Sequence, residues 1–293
     1  MIRLVVAVLA ALTVSGARAG AWLQEPGEAY LRLSTGRLET DRRYNPDGDE
    51  VPFDDYGGFR RTTYRDLEAI IYGEVGVHPR VTVLGTGILK SLEARQKAAV
   101  STARGLSDVM LGVRTKLWKS LWHVGSVSAE WWLPTGYDET HYPALGSGAH
   151  EVRMGAHAGA SAGRLWANLD VQVGLRQSPF RDRMVGLMSA GYSLSSRLAV
   201  RGTMGVLEPL GRAPADAPEQ ALFDPTAVDT RLAEASATVS YALGRWALEG
   251  ELRGPLRGEN TLAGTRFGLA VATARSVRLW GQAPGPGPWG SAP

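Results

Sequence analysis

The sequence predicts an all-β fold, an antiparallel up-and-down transmembrane β-barrel of about 12 strands, within a range of 10 to 14. Three observations predict it. About a dozen segments alternate apolar and polar residues with a period of two, as a strand with one lipid-facing side must. The connections between them switch regularly between very short and long, and an export signal precedes them all.

The segments run over residues 28–36, 62–77, 80–93, 106–118, 121–134, 149–161, 164–177, 183–195, 197–208, 231–243, 245–255 and 264–280. In the fourth, Val109, Leu111, Val113 and Leu117 oppose Arg114 and Lys116. In the sixth, Val152, Met154, Ala156 and Ala158 oppose Glu151, Arg153 and His157. The seventh is the clearest: Leu165, Ala167, Leu169, Val171, Val173 and Leu175 share one face, and Trp166, Asn168, Asp170, Gln172, Gly174 and Arg176 the other. A helix would group apolar residues at three- and four-residue spacing and could not separate these two sets. In the eleventh, Trp246, Leu248 and Leu252 oppose Glu249, Glu251 and Arg253.

Connections after even-numbered segments are brief: His78-Pro79, Lys119-Ser120, Ala162-Gly163, Ser196 and Gly244. Those after odd-numbered segments are mostly long and polar, notably 37–61, 94–105, 135–148 and 209–230. Short periplasmic turns and longer surface loops are the pattern of outer-membrane barrels, and an even strand count returns both ends to the periplasm.

Residues 1–19 read as a cleaved secretory signal, with Arg3, the apolar run Leu4 to Leu12 and the small-x-small stretch Ala17-Arg18-Ala19. That run is shorter than the roughly 20 residues a spanning helix needs. No later stretch is uniformly apolar, so insertion would be by strands, whose backbone groups are satisfied in a closed barrel. The barrel is expected over 20–280, with a last strand placing Trp280 at the bilayer interface. A proline- and glycine-rich tail, 281–293, follows and cannot form regular structure. Removing Arg3 and Arg18 takes 32 basic groups to 30 against 29 acidic ones, a net charge of +1. The chain lacks the basic patch with interleaved aromatics that nucleic-acid binding needs. It has no cysteine, so barrel closure must do what disulfides do in many exported proteins.

Three passages resemble the outer-membrane proteins of the MetA-pathway-of-phenol-degradation-like and XagA-like families. They are the stretch from Gly20 to Leu31 containing Ala21-Trp22-Leu23-Gln24-Glu25-Pro26-Gly27; Tyr44-Asn45 and Val51-Pro52-Phe53 with Ala69 to Arg80; and Gly105 to Asp108 with Leu133 to Tyr137 and Leu145 to Gly148. The resemblance implies the bacterial outer membrane and a transport role, and brings no catalytic residues with it. It does not imply phenol as the solute, because fold does not fix function.

Candidate chemistry is sparse. The stretch Asn45-Pro46-Asp47-Gly48-Asp49-Glu50 has alternate carboxylates, but Glu50 and Tyr56 stand where an EF-hand needs glycine and a bidentate glutamate. A solvated acidic turn is expected there, with Arg42, Arg43, Arg60 and Arg61 near enough to bridge anionic headgroups. Asp138, Glu139, His141 and His150 share one loop without a nucleophile–base–orienter pattern. No catalytic residue, metal site or cofactor is assigned.

The inward polar faces are the more useful constellation. By alternation they carry Glu68, Glu74, Glu130, Glu151, Asp170, Glu234, Glu249 and Glu251, opposed by Arg114, Lys116, Arg153, Arg176, Arg197, Arg201 and Arg253, with His157 among them. A turn at Ala162-Gly163 would bring Arg153 close to Asp170 and Gln172. A twelve-strand barrel lies between small filled barrels and wide porins, so its lumen can conduct or be tied shut by ion pairs. The expected role is an outer-membrane channel for passive movement of a small solute, with a non-conducting surface or structural barrel as the alternative. Lipid, that solute and, during biogenesis, the barrel-assembly machinery are the expected partners; nucleic acid is not.

Overall fold

A computed structural model describes residues 21–53, 63–96, 99–177, 179–211 and 230–276. The expected signal segment and tail lie outside the described residues, as do Tyr56, Arg60, Arg61 and Trp280. In chain order the strands are β1 (Glu28–Thr40), β2 (Arg42–Tyr44), β3 (Glu50–Pro52), β4 (Thr63–His78), β5 (Val81–Gln96), β6 (Ala99–Lys119), β7 (His123–Leu133), β8 (Glu151–Ala162), β9 (Leu165–Arg176), β10 (Arg183–Ser193), β11 (Leu198–Pro209), β12 (Arg231–Leu243), β13 (Trp246–Glu259), β14 (Thr261–Ala263) and β15 (Arg266–Ser276). Twelve of them form one closed antiparallel barrel, and β14, β2 and β3 form a separate small sheet. Closure is between β1 and β15, whose ladder runs from Glu28↔Ser276 to Leu38↔Arg266. With no open edge, every barrel strand has a partner on both sides, the condition for strands to cross a bilayer.

Alternation sets the two faces. On β9, Leu169 is 49 % exposed on the outer surface while its neighbour Asn168 is 5 % exposed inside. Leu165, Val171, Val173 and Leu175 continue the outer apolar stripe. The same outer stripe appears on β8 through Val152 and Met154, and on β13 through Leu248 and Leu252.

Two sequence expectations are corrected. Residues 94–105 are not a long loop, because β5 and β6 stay paired out to Gln96↔Ala99. A bulge between Gly87↔Val109 and Leu89↔Leu106 reverses the parity of β6 at Ser107 and Asp108, which hides the continuing strand from a period-two reading. The β8–β9 turn is Gly163-Arg164, one residue later than expected, because Ala162 still pairs with Leu165. Gly163 has a φ of 59°, a conformation that costs a residue with a Cβ about 1–2 kcal/mol. The shift moves every cross-strand pair: Arg153 faces Gly174, and Asp170 faces His157.

The interior is packed at two places. At the long-loop end, Leu38, Phe53, Tyr64, Leu92, Ala94 and Leu145 form an apolar cluster against which Tyr137, Tyr142 and Leu262 pack. Ser107 Oγ donates to the Leu145 carbonyl at 2.6 Å, and the Tyr137 hydroxyl to Asp108 at 2.5 Å, so the 134–150 connection folds back onto β6. Burial pushes the Tyr137 phenol well above its ordinary value, with Asp108 adding to the shift. At the short-turn end, Ala21 and Trp22 pack with Val124 inside the barrel wall. This amino-terminal segment is tied to four strands. Gly27 N donates to Gly76 O (2.9 Å), Gln24 N to Thr82 Oγ1 (3.2 Å), and Ser126 Oγ to Ala21 O (3.1 Å), while Lys119 pairs with Glu25 (3.0 Å). Gly76 is obligatory to this docking, since a Cβ there would lie 2.1 Å from the Glu25 carbonyl oxygen.

Candidate functional site

The candidate site is the barrel interior, where alternation delivers the charged side chains of adjacent strands to one surface. Glu68, Glu74, Arg114, Lys116, Glu130, Glu151, Arg153, His157, Asp170, Arg176, Arg201, Glu234, Glu249, Glu251 and Arg253 occupy inward positions of their strands. Arg197 does not. It lies exposed in the turn between β10 and β11, because the strand begins one residue later and the turn takes Arg197 with it. The expected reading missed Arg32, Asp66, Lys90, Arg183 and Arg266, which also lie inside. Asp66 and Lys90 share the face of Glu68, two residues away or directly opposite it, so extending that one assignment would have found both.

Charges meet in groups. Glu249 accepts from Arg32 at 3.1 Å and lies 3.8 Å from Arg201; Arg253 reaches Glu251 at 2.6 Å and Glu234 at 3.8 Å. Arg266 bridges Asp66 (2.7 Å) and Glu68 (2.9 Å) across the closure strands. Among these groups is a small cavity of about 50 Å³, with Arg32, Glu68 and Arg253 in its wall. On the facing wall, Glu151 is a hub for three guanidiniums: Arg153 at 2.6 Å, Arg183 Nε at 3.0 Å and Arg176 at 3.8 Å. Arg153 stacks 4.4 Å over Trp132, and Arg176 4.4 Å over Phe180. The expected approach of Arg153 to Asp170 is therefore corrected: the shifted turn gives Arg153 to Glu151 and Asp170 to His157.

That exchange creates a chain no sequence spacing indicated. Ser128 Oγ and His157 Nε2 are 2.8 Å apart, and His157 Nδ1 and Asp170 Oδ1 are 2.8 Å apart, on β7, β8 and β9. A proton on Nδ1 satisfies both contacts. The order is that of a serine hydrolase triad, but Ser128 is 7 % exposed on a flat wall whose backbone pairs with Arg114 on one side and Gly155 on the other. N–H groups committed to two ladders cannot form an oxyanion hole. The chain braces three strands.

The loop candidates are dispersed by the same geometry. Asn45 Oδ1 accepts from the backbone N–H groups of Asp47 (3.0 Å) and Asp49 (2.8 Å), so the acidic stretch is an Asx-type turn. Arg42 pairs with Glu50 at the surface, whereas Arg43 is 3 % exposed and so withdrawn from headgroup bridging. Asp138 accepts from the Thr140 hydroxyl (2.6 Å) and N–H (2.9 Å), which holds its carboxyl below the ordinary range. His141 contacts Thr102 O, and His150 packs on Trp131. Among the described residues no cluster of His, Cys, Asp or Glu could hold a metal ion.

Burial varies through the interior. Along β4 to β8 the wall is filled: Glu74, Thr82, Leu84, Val124 and Ser126 are at most 2 % exposed beneath the amino-terminal segment. Along β10 to β13 burial varies with depth: inward Ser189, Thr238 and Glu249 are 9 %, 1 % and 5 % exposed, whereas inward Leu187 is 40 % exposed and the Arg253 side chain 42 %.

No family model matches the chain, and no curated protein matches it. Among solved structures it is similar to the COG4313 outer membrane channel from Pseudomonas putida F1, with a TM-score of 0.68 and 14 % identity over 89 % of this chain and 100 % of that one. It is also similar to the NanC porin, with a TM-score of 0.49 and 9 % identity over 85 % of this chain and 100 % of that one. A third similar structure is the KdgM porin, with a TM-score of 0.47 and 9 % identity over 82 % of this chain and 98 % of that one. At 14 % identity the likeness to the first of these is one of fold, the closed barrel.

Proposed function

We propose that this chain is a bacterial outer-membrane channel through which small molecules move passively, with short turns in the periplasm and long loops outside. One observation carries the reading: the inward-facing side chains of Leu187 on β10 and Arg253 on β13 remain solvent-accessible, at 40 % and 42 %. A filled barrel would bury them. The continuous outer apolar stripe supports a lipid surround, and the channel from Pseudomonas putida F1 shares the fold. Membership of the MetA-pathway-like family is part of the same proposal, on the passages that resemble it.

A second reading is a non-conducting barrel, favoured by the amino-terminal segment packed against β4 to β8 and by the ion-pair braces. Planar-bilayer recording of the purified folded chain separates the two. Discrete conductance steps support the channel. Arg253→Glu should then move the reversal potential under a salt gradient toward cation preference, because it replaces an accessible positive charge with a negative one inside a low-dielectric wall. A folded barrel that passes no current supports the second reading.

A further inference from the structure

We propose that the accessible part of the interior around Leu187 holds a binding site for organic anions with an apolar body: Arg183 takes the carboxylate, and Val185, Leu187, Leu207 and Leu232 take the body. The inference rests on the channel reading only for solute access.

The patch is an exception to the barrel's own rule. Inward apolar side chains such as Leu84, Leu92 and Val124 are packed to at most 2 % exposure, yet β10 presents Val185 and a 40 % exposed Leu187 to the interior, on the face that also carries Arg183. Cross-strand register makes the patch continuous: Val185 faces Leu207, and Leu207 faces Leu232. Leu187 faces Gly205 and lies beside Glu234, an interior residue, which fixes the side on which it points. Lipid reaches only the opposite surface. Leu187 is nonetheless 40 % exposed, so apolar surface is presented to water, where covering it is favourable at about 25 cal/mol per Å².

The polar end of the site has more donors than acceptors. Glu151 pairs with Arg153, Arg176 and Arg183, and Asp108, engaged by the Tyr137 hydroxyl, acts on Arg176 and Arg183 from farther away. Glu130, opposite Arg153, accepts instead from Gln172 Nε2 (2.8 Å) and Trp132 Nε1 (3.3 Å). The Arg176 side chain is 6 % exposed, and its Nε is buried without a hydrogen-bond acceptor. Each guanidinium offers five N–H donors, and a carboxylate matches that fork geometry. Arg183 remains 21 % exposed and can take a second carboxylate from the lumen while keeping Glu151. From Arg183 to Leu187 is four residues, about 13 Å of strand. Val185 and its partner Leu207 begin the patch two residues from Arg183, about 7 Å of strand, which a carboxylate on a compact apolar body can bridge; a small inorganic anion does not use the patch, and a neutral hydrocarbon does not use the arginine.

The test is titration calorimetry on the purified folded barrel in detergent with cyclohexanecarboxylate, acetate and cyclohexylmethanol, each corrected against protein-free micelles. The expected result is at least tenfold tighter binding of cyclohexanecarboxylate than of either partial ligand. Leu187→Asn should remove that advantage while leaving acetate unchanged, and Arg183→Gln should reduce cyclohexanecarboxylate to the level of the alcohol. Leu207→Asn repeats the apolar arm should Leu187→Asn fail to fold, as judged by heat-modifiable gel mobility. Equal binding of the three ligands, or an undiminished advantage in the folded Asn variants, overturns the proposal. Conductance of the same preparation keeps the readings apart. A conducting barrel without preferential binding defeats the site alone, and preferential binding in a non-conducting barrel defeats the channel alone.

Discussion

At the scale of single residues, position along a strand decides which solvent a side chain meets. Leu169 and Asp170 are neighbours, one facing outward and one bonded to His157. Leu169→Arg should cost about 2 to 4 kcal/mol at the bilayer midplane and prevent the heat-modifiable folded band from forming. Asp170→Asn keeps an acceptor for His157 and should fold; equal behaviour of the two would reverse the face assignment. This much was legible, because alternation over twelve residues leaves a single answer. The pairing of Arg153 was not, since a turn displaced by one residue at Gly163 changes every cross-strand partner while leaving the faces intact. Glu25 supplies a pH dependence of its own. The Lys119 ammonium beside it holds its carboxyl below the ordinary value, with Lys116 adding to the effect. A depressed folded value stabilises docking at pH above the ordinary carboxylate range and loses that contribution as pH falls through the lowered value. The pair is half-exposed, so its worth is about 0.2–1 kcal/mol. Protection of the 21–27 segment from protease should therefore fall on acidification, and Glu25→Gln should remove that step; an unchanged step in the variant would assign it elsewhere.

At the scale of elements, ten of the eleven connections could be placed within a few residues from sequence because glycine, proline and polar runs interrupt the alternation. The 94–105 stretch failed for the opposite reason. The β6 bulge at Ser107 and Asp108 reverses parity inside a continuous strand, and a reversal reads as an interruption. The amino-terminal segment was illegible as an internal element: its sequence contains no strand period, and only the fold shows that Gly76, Thr82 and Ser126 receive it. Its docking depends on the missing side chain of Gly76. Gly76→Val should expel the segment without opening the barrel, since β4 keeps its ladders with β1 and β5. The native chain has no cysteine, so Trp22→Cys gives a single label site. Its reaction with a water-soluble maleimide should accelerate at least tenfold when Gly76→Val is added. An unchanged rate would mean that the segment does not depend on that contact.

At the scale of the whole molecule, the closed sheet answers the edge problem, the outer stripe answers lipid, and the interior is uneven, filled at Thr82, Val124 and Thr238 and accessible at Leu187 and Arg253. The sequence predicted closure and strand number, but alternation gives inward and outward without giving depth or filling. Whether a lumen conducts depends on what crosses it, and Trp22 and the Glu151 hub are brought there only by the fold. The most direct measurement is thiol accessibility under current recording, using single cysteines in a chain that has none. Leu187→Cys and Thr82→Cys stand at an accessible and a filled position, 40 % and 0 % exposed in the native residues. A charged methanethiosulfonate should react rapidly at position 187 and step the current down, and should leave position 82 unmodified. Equal reaction at both positions, or none at 187 in a folded barrel, would contradict a lumen accessible at Leu187 and filled at Thr82.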